Sequence, residues 1–294
     1  MEQIVRRFNQ RVGQASAAQG PTKAWVKKAL HRRGADRCPT RCDRPSLDLI
    51  IRYGDALADL YCQYPDDVIG IHPYDCFIGP QPKDRPVNTV HALMRDAQWT
   101  DEWGTTWGHA YGGVGATHLA HPIQDWSQLD EYIQNRIPNP RLPGRLDGAL
   151  PILQGYGKDK YCVGMMVLAI LERMNCLRGT ENVLMDFYTN EKEVQRLIEA
   201  LTEHLLEIIR YWAEIGADAV YLGDDWGSQN SLMVSLPMWR KFFKKPYQTL
   251  FDEVHRMGMD VLFHSCGNVI EIIPDLIELG ADILDPIQPG PLDP

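Results

Sequence analysis

An apolar run long enough to cross a bilayer is missing. Such a span takes about 18 residues, and no stretch of the 294 approaches it. The N-terminus, MEQIVRRFNQRVGQ, carries charge but has no apolar centre and no cleavage signal, so it does not read as a secretory leader. Positive charge is in deficit: 30 Lys and Arg against 39 Asp and Glu leave a net charge of −9. That balance argues against nucleic acid or an anionic membrane as partner. No disulfide framework is visible either, because the seven cysteines are odd in number and scattered, which fits reduced thiols in a cytoplasm. The Gly-rich phosphate fingerprint of a doubly wound dinucleotide fold does not follow the first candidate strand. These absences leave a cytoplasmic globular chain acting on a small-molecule substrate.

A repeat is what the sequence does contain. Gly216-Ala-Asp-Ala-Val-Tyr, Gly258-Met-Asp-Val-Leu-Phe and Gly280-Ala-Asp-Ile-Leu-Asp each place Gly at a helix end, Asp two residues later and then a short apolar run. Glycine supplies the left-handed residue that ends a helix, and a short apolar run fits a strand buried on both faces. Helix–Gly–strand units in series predict parallel strands with helices outside. Six strands are expected, near residues 38, 68, 162, 218, 260 and 282. The best-marked helix follows Thr189 or Asn190 as cap, carries Glu191 and Glu193 in its first turn, and stops at Gly216. Residues 1–20 read as a polar arm or frayed helix, and 21–294 as one barrel domain. An inserted hairpin is expected around 79–125, where EWGTTWGHAYGGVGATH suggests two short strands and a glycine turn. The fold expected is a (β/α)8 TIM barrel with about six of its eight strands present. The two further strands would take roughly 50 residues, so the chain reads as truncated after Pro294, with two open sheet edges.

A barrel of this kind places functional residues at the C-terminal ends of its strands. The polar residues expected there are Asp75, the pair Asp224-Asp225, His264-x-Cys266, and Asp285 with Gln288. In a strand, residues i and i+2 share a face, so His264 and Cys266 project together as one arm of a zinc site or half of an acid–base pair. The plainer alternative is a buried Cys beside a His bonded to backbone. Asp224 is expected to face the mouth, and Asp225 is read as a substrate-binding residue or a cap on the next helix. Asp285 and Gln288 are substrate-binding candidates. Glu172-Arg173 reads as an ion pair on a helix. His109, His118, His121, Cys38 and Cys42 lack a second ligand arm and are assigned to structure.

The segments GADAVYLGDDWGSQNSLMVSLPMWRKFFKKPY, HSCGNVIEIIPDLIELGADILDPIQP, DEWGTTW and ALHRRGADRCP resemble the uroporphyrinogen decarboxylase-like superfamily, over about Ala24 to Pro294. The resemblance implies a (β/α)8 barrel and one of two activities. One branch decarboxylates uroporphyrinogen without a cofactor. The other comprises zinc-dependent methyltransferases that move a methyl group between a corrinoid and a thiol. The decarboxylase block Arg-Gln-Ala-Gly-Arg-Tyr is replaced here by Pro39-Thr40-Arg41-Cys42-Asp43-Arg44, so the methyltransferase branch is the closer. In that branch the resemblance makes His264 and Cys266 zinc ligands, with a distant Cys near a seventh strand as the third, and a corrinoid protein the partner. In the decarboxylase alternative Arg41 and Arg44 would hold carboxylates, and Asp75 would stabilise charge on a protonated pyrrole. A further alternative is a non-catalytic fragment that binds a corrinoid or partner.

Overall fold

The computed structural model describes residues 2–35, 37–42, 45, 47–71, 98–109 and 116–290. The strands in chain order are β1 (Val68–Ile71), β2 (Trp99–Thr100), β3 (Thr106–His109), β4 (Ala116–Ala120), β5 (Tyr161–Met166), β6 (Ala219–Gly223), β7 (Asp260–His264) and β8 (Ile283–Asp285). The helices are α1 (Glu2–Ala18), α2 (Lys23–Leu30), α3 (Leu47–Gln63), α4 (Leu129–Asn135), α5 (Leu150–Gln154), α6 (Leu171–Arg178), α7 (Thr180–Thr189), α8 (Glu191–Ile215), α9 (Leu236–Trp239), α10 (Lys245–Arg256) and α11 (Ile273–Leu279). A π-helical turn over Arg240–Lys244 joins α9 to α10. None of the helices is long and apolar enough to cross a membrane among the described residues.

One sheet runs β1-β5-β6-β7-β8, with every neighbouring pair parallel. This is the strand order of a β/α barrel, in which each strand is laid beside its predecessor after a helical return. Period-two alternation sorts the side chains. Tyr161, Val163, Met165, Ala219, Tyr221 and Leu262 form one buried cluster with Val26 of α2, and this is the barrel interior. Their neighbours Cys162, Met166, Val220, Leu222, Val261 and Phe263 pack outward into the main core under the helices. The long helix α8 supplies Val194, Leu197, Ile198, Leu201, Leu205, Ile209 and Trp212 to that core, and Gly216 ends it in the left-handed region at φ 94. Asn190 stands at its N-cap position, but its amide binds Asp186 and the Thr189 hydroxyl instead of the helix end.

The Asp of each repeat closes the N-terminal end of the sheet. Asp218 accepts from Cys162 N–H at 3.0 Å, and Asp282 accepts from Val261 N–H at 2.8 Å. Asp260 accepts the Tyr161 hydroxyl at 2.5 Å. A carboxylate bonded to the neighbouring strand fixes register, since a slip by one residue would turn every inward side chain outward. Helix α2 covers this end, with Lys23 and Lys27 on Asp218 and His31 on Asp260.

The candidate strand near residues 38–42 is not a strand. Pro39 has no N–H to give a ladder, and Asp67 takes both the N–H (2.7 Å) and the hydroxyl (2.8 Å) of Thr40. The segment still runs beside the start of β1, where Asp67 N–H donates to Thr40 C=O at 2.8 Å. The hairpin appears as a three-stranded antiparallel sheet, β2-β3-β4, whose glycine turn at 110–115 lies outside the described residues. Asp101 fastens it by accepting from the N–H groups of Trp103 and Thr105 and from Trp107 Nε1. Helix α1 packs on α3 through Phe8, Ile50 and Ala58.

Sheet and helix layer meet closely at Gly164, where an added Cβ would lie 2.3 Å from the Trp212 ring. Gly164→Ala is expected to lower stability by about 1–3 kcal/mol through overpacking, read as a fall in urea midpoint at unchanged slope. A midpoint equal to that of the parent chain would contradict this packing.

Candidate metal and active site

The C-terminal ends of β6, β7 and β8 bring together Asp225, His264, Cys266, Asp285 and Gln288. Parity explains the first three. Tyr221 lies inside the barrel, so Asp225, four residues on, returns to the same side, while Asp224 and Trp226 face the helices. His264 and Cys266 continue the inward series of Leu262. The Trp226 side chain is fully buried and donates from Nε1 to the Tyr247 hydroxyl at 3.2 Å. It sits in an aromatic cluster with Trp239, Phe243 and Tyr247. That anchor turns Asp225 toward the mouth.

Asp224 is therefore not the mouth residue expected from the sequence. It has 0% exposure and its carboxylate accepts from the N–H groups of Ile170, Leu171 and Glu172 at 2.8–3.0 Å and from the Tyr247 hydroxyl. Those three N–H groups belong to the start of α6, which has no intrahelical partners for them. Burial raises the Asp224 pKa to about 6 even though all these donors oppose the rise. It ties the end of β6 to the start of α6 and to Tyr247 of α10.

Asp225 takes the place at the mouth. His264 Nε2 lies 3.5 Å from both Asp225 Oδ1 and Cys266 Sγ. All three donor atoms are within 4.8 Å of one another. Zinc bonds of about 2.0–2.3 Å at tetrahedral angles place neighbouring ligand atoms about 3.3–3.8 Å apart, so the two measured separations match edges of such a tetrahedron. The other imidazole nitrogen, Nδ1, is 3.3 Å from Asp285 Oδ2, the carboxylate–histidine arrangement that orients a metal-binding ring. Tyr221 lies against that ring, its centroid 5.1 Å away. Gln288 accepts from Gly267 N–H at 2.9 Å and so braces the β7 loop.

The protonation states point the same way. Burial opposes a charge on His264, but hydrogen bonds and charge from Asp225 and Asp285 outweigh it and raise its pKa to about 9. Burial, with Asp225 adding to it, raises the Cys266 thiol to about 11. Without a cation the cluster holds protons where a metal would sit, and metal binding releases them. Glu172, read from the sequence as half of an ion pair with Arg173, belongs here too. Burial, with Asp224 and Asp225 adding to it, raises its pKa to about 7, while Arg173 pairs with Asp101 at 3.6 Å.

Arg41 reaches the mouth from the segment beside β1, its Nη1 3.8 Å from Asp285 Oδ2. Asp75 and Arg44 lie outside the described residues. Of the hairpin histidines, His121 meets Cys176 C=O through Nδ1 at 2.9 Å and His118 packs on its ring. Cys42 donates to Tyr64 C=O at 3.6 Å. A second cluster, His31 with Asp260 and Asp282, sits at the opposite end of the strands. There Asp260 is engaged by Tyr161, and Asp282 by Val261 and His255.

Two expectations separate these assignments. Asp224→Asn should cost about 2–3 kcal/mol, because one amide oxygen cannot serve four donors and its NH2 meets N–H groups. Asp225→Asn, at a half-exposed position, should stay within about 0.5 kcal/mol in the metal-free chain above pH 9, where the His264 proton that Asp225 helps to hold is gone. Equal melting shifts for the two would contradict the division of labour. The His264 pKa makes a second expectation. The folded value of about 9 exceeds the ordinary 6.5, so the folded state holds the extra proton between them. Its contribution is full below pH 6.5 and is lost as pH rises through 9. Metal-free chain should thus lose stability over that window in urea titrations, and His264→Gln should flatten the loss.

Comparison with known proteins follows the same lines. A model of the family described as uroporphyrinogen decarboxylase (URO-D) matches residues 111–286, more than half of the chain. A 97-residue segment is 30% identical to the uroporphyrinogen decarboxylase of one strain of Thermus thermophilus, covering 33% of this chain and 27% of that protein. The uroporphyrinogen decarboxylase of a second strain of the same species matches equally, at 30% over 97 residues. Among solved structures, a methyltransferase from Methanosarcina mazei superposes with a TM-score of 0.63 at 17% identity, covering 90% of this chain and 75% of the other. At that identity the likeness is one of fold.

Proposed function

We propose that this chain, which belongs to the uroporphyrinogen decarboxylase family, is a zinc-dependent methyltransferase that moves a methyl group between a corrinoid and a thiol or related acceptor. The observation that carries this reading is the donor triangle of Asp225, His264 and Cys266, one oxygen, one nitrogen and one sulfur mutually within 4.8 Å. Zinc takes these donors, and three protein ligands leave a fourth position for substrate, the pattern of catalytic sites. Zinc held there supplies Lewis acidity, which lowers the pKa of a bound thiol so that it is a thiolate near neutral pH.

The chain's own residues hold and aim. Asp285 accepts from Nδ1–H of His264 and so turns Nε2 toward Asp225 and Cys266. Tyr221 lies against the imidazole and limits its tilt. Cys266 N–H donates to Asp225 Oδ1 at 2.9 Å, which keeps the carboxylate beside the thiol. The His264 hydrogen bond holds Asp285 ionised against the opposing effect of burial, and the charge of Arg41 adds to it. The corrinoid would arrive on a partner protein at the open mouth.

Decarboxylation of uroporphyrinogen or a related acid is the second reading. Arg41 at the mouth favours it, since a guanidinium grips a substrate carboxylate through two parallel hydrogen bonds. The first reading takes precedence because cofactor-free decarboxylation has no use for a thiol and an imidazole at ligand spacing.

Zinc content separates them. Purified chain is expected to carry about one zinc, and His264→Ala or Cys266→Ser should remove it together with methyl transfer from methylcobalamin to a thiol. A chain that decarboxylates its substrate at full rate after zinc has been stripped would overturn methyl transfer. Zinc-loaded chain that binds a corrinoid protein but transfers no methyl group would point to a binding role alone.

A further inference from the structure

Strand pairing in a parallel barrel normally stops where the strands stop, and the loops beyond diverge. Here the loops after β6 and β7 remain joined. The last register pair is Gly223 with His264. Past it, Asp224 N–H donates to His264 C=O at 3.0 Å, and Trp226 N–H to Ser265 Oγ at 2.8 Å. Gly227 N–H then donates to Cys266 C=O at 3.2 Å, and Asn268 N–H to Ser228 C=O at 2.7 Å. The two chains come closest at two glycines. A Cβ on Gly267 would lie 2.2 Å from Gly227 O, and a Cβ on Gly227 would lie 2.5 Å from Asn268 N and 2.6 Å from Cys266 O. Gly267 also has φ +78, a region that residues with a side chain rarely adopt. All the opposing atoms are backbone, so no change of rotamer could relieve the clash. The loops themselves would have to part.

Asp225 lies two residues before Gly227, and Cys266 immediately precedes Gly267. Parting the loops would therefore move the carboxylate away from the thiol and imidazole. We propose that Gly227 and Gly267 are positioning residues for the metal, forming a backbone clasp that sets the distance of Asp225 from His264 and Cys266. This rests on the reading that those three side chains hold a metal. It adds that their spacing is enforced by main chain, so the donor triangle exists before the metal arrives.

Zinc affinity by competition with a chromophoric chelator, and the absorption spectrum of the Co2+-loaded chain, test it together. Gly227→Ala and Gly267→Ala should each weaken zinc binding about tenfold or more, the scale of changes to groups that support metal ligands. They should also diminish the thiolate-to-cobalt band. Gly258→Ala is the control, because Gly258 shares the φ of +78 but has nothing within 4 Å of an added Cβ. It should lower the melting temperature and leave affinity and spectrum unchanged. If the glycine variants fail to fold, Ser265→Ala, which removes the acceptor of Trp226 N–H, and Gln288→Ala, which frees Gly267 N–H, replace them. Each should then weaken zinc several-fold, and wild-type affinity in both would overturn the clasp. Wild-type affinity and spectrum in Gly227→Ala and Gly267→Ala would equally overturn it. Parent chain that binds neither zinc nor Co2+ would instead remove the metal reading, and the clasp as a metal-positioning device would fall with it.

Discussion

Burying a carboxylate costs several kcal/mol unless donors surround it, and Asp224 is buried completely among three backbone N–H groups and a phenol. The donors come from the start of α6 and from α10, so one side chain ties the end of β6 to two helices of the outer layer. Everything at the mouth is hung from that tie. Trp226 follows Asp224 on the same side and fills the aromatic cluster between β6 and α10. Asp225, between them, has only the barrel side left to occupy. Its position beside His264 is a consequence of what its two neighbours bury.

The repeat of Gly, Asp and apolar strand was legible because each element has a local cause. Gly216, Gly258 and Gly280 adopt positive φ at helix ends, and β5, β6 and β7 are apolar on both faces because both are covered. His264 and Cys266 were legible for a similar reason, a two-residue spacing on one strand. Asp224 and Asp225 were confused because both are acidic and adjacent, and only counting parity from Tyr221 assigns one to each side. That signal was in the sequence and needed the strand to be placed to the residue. The perturbation of Glu172 was not legible, since it comes from burial and then from Asp224 and Asp225, which lie far from it in sequence. The segment at 38–42 misled because the residues of a strand are there, while the carboxylate that diverts Thr40 belongs to Asp67.

Electrostatically, the mouth is an acidic site built round one imidazole. Asp225 and Asp285 flank His264 on its two nitrogens, and the imidazole answers by holding a proton that an exposed histidine would have released at neutral pH. Opposite charges at such short range in a partly dry environment raise the attraction well above its value in water. The same arrangement suits a divalent cation better than it suits protons, because one ion neutralises the carboxylate and the thiolate together. The repeat Asp residues at the other end of the strands are engaged by backbone N–H groups, lysines, a phenol and the imidazoles of His31 and His255. Acidic residues thus occupy both ends of the sheet, and among the described residues the C-terminal end sets them beside a histidine and a thiol together.

Arg41 meets Asp285 at the mouth, and they come from opposite ends of the sheet order, one beside β1 and the other on β8. Such a contact has a temporal meaning. Contacts between segments remote in sequence carry the largest loop-closure cost and lag behind local ones during folding. A chain made from its N-terminus presents Arg41 well before Asp285. His264 gains its orienting carboxylate only when β8 docks. The ring is therefore aligned only after β8 has docked, and a nascent chain halted before β8 carries imidazole and thiol without that orienting carboxylate.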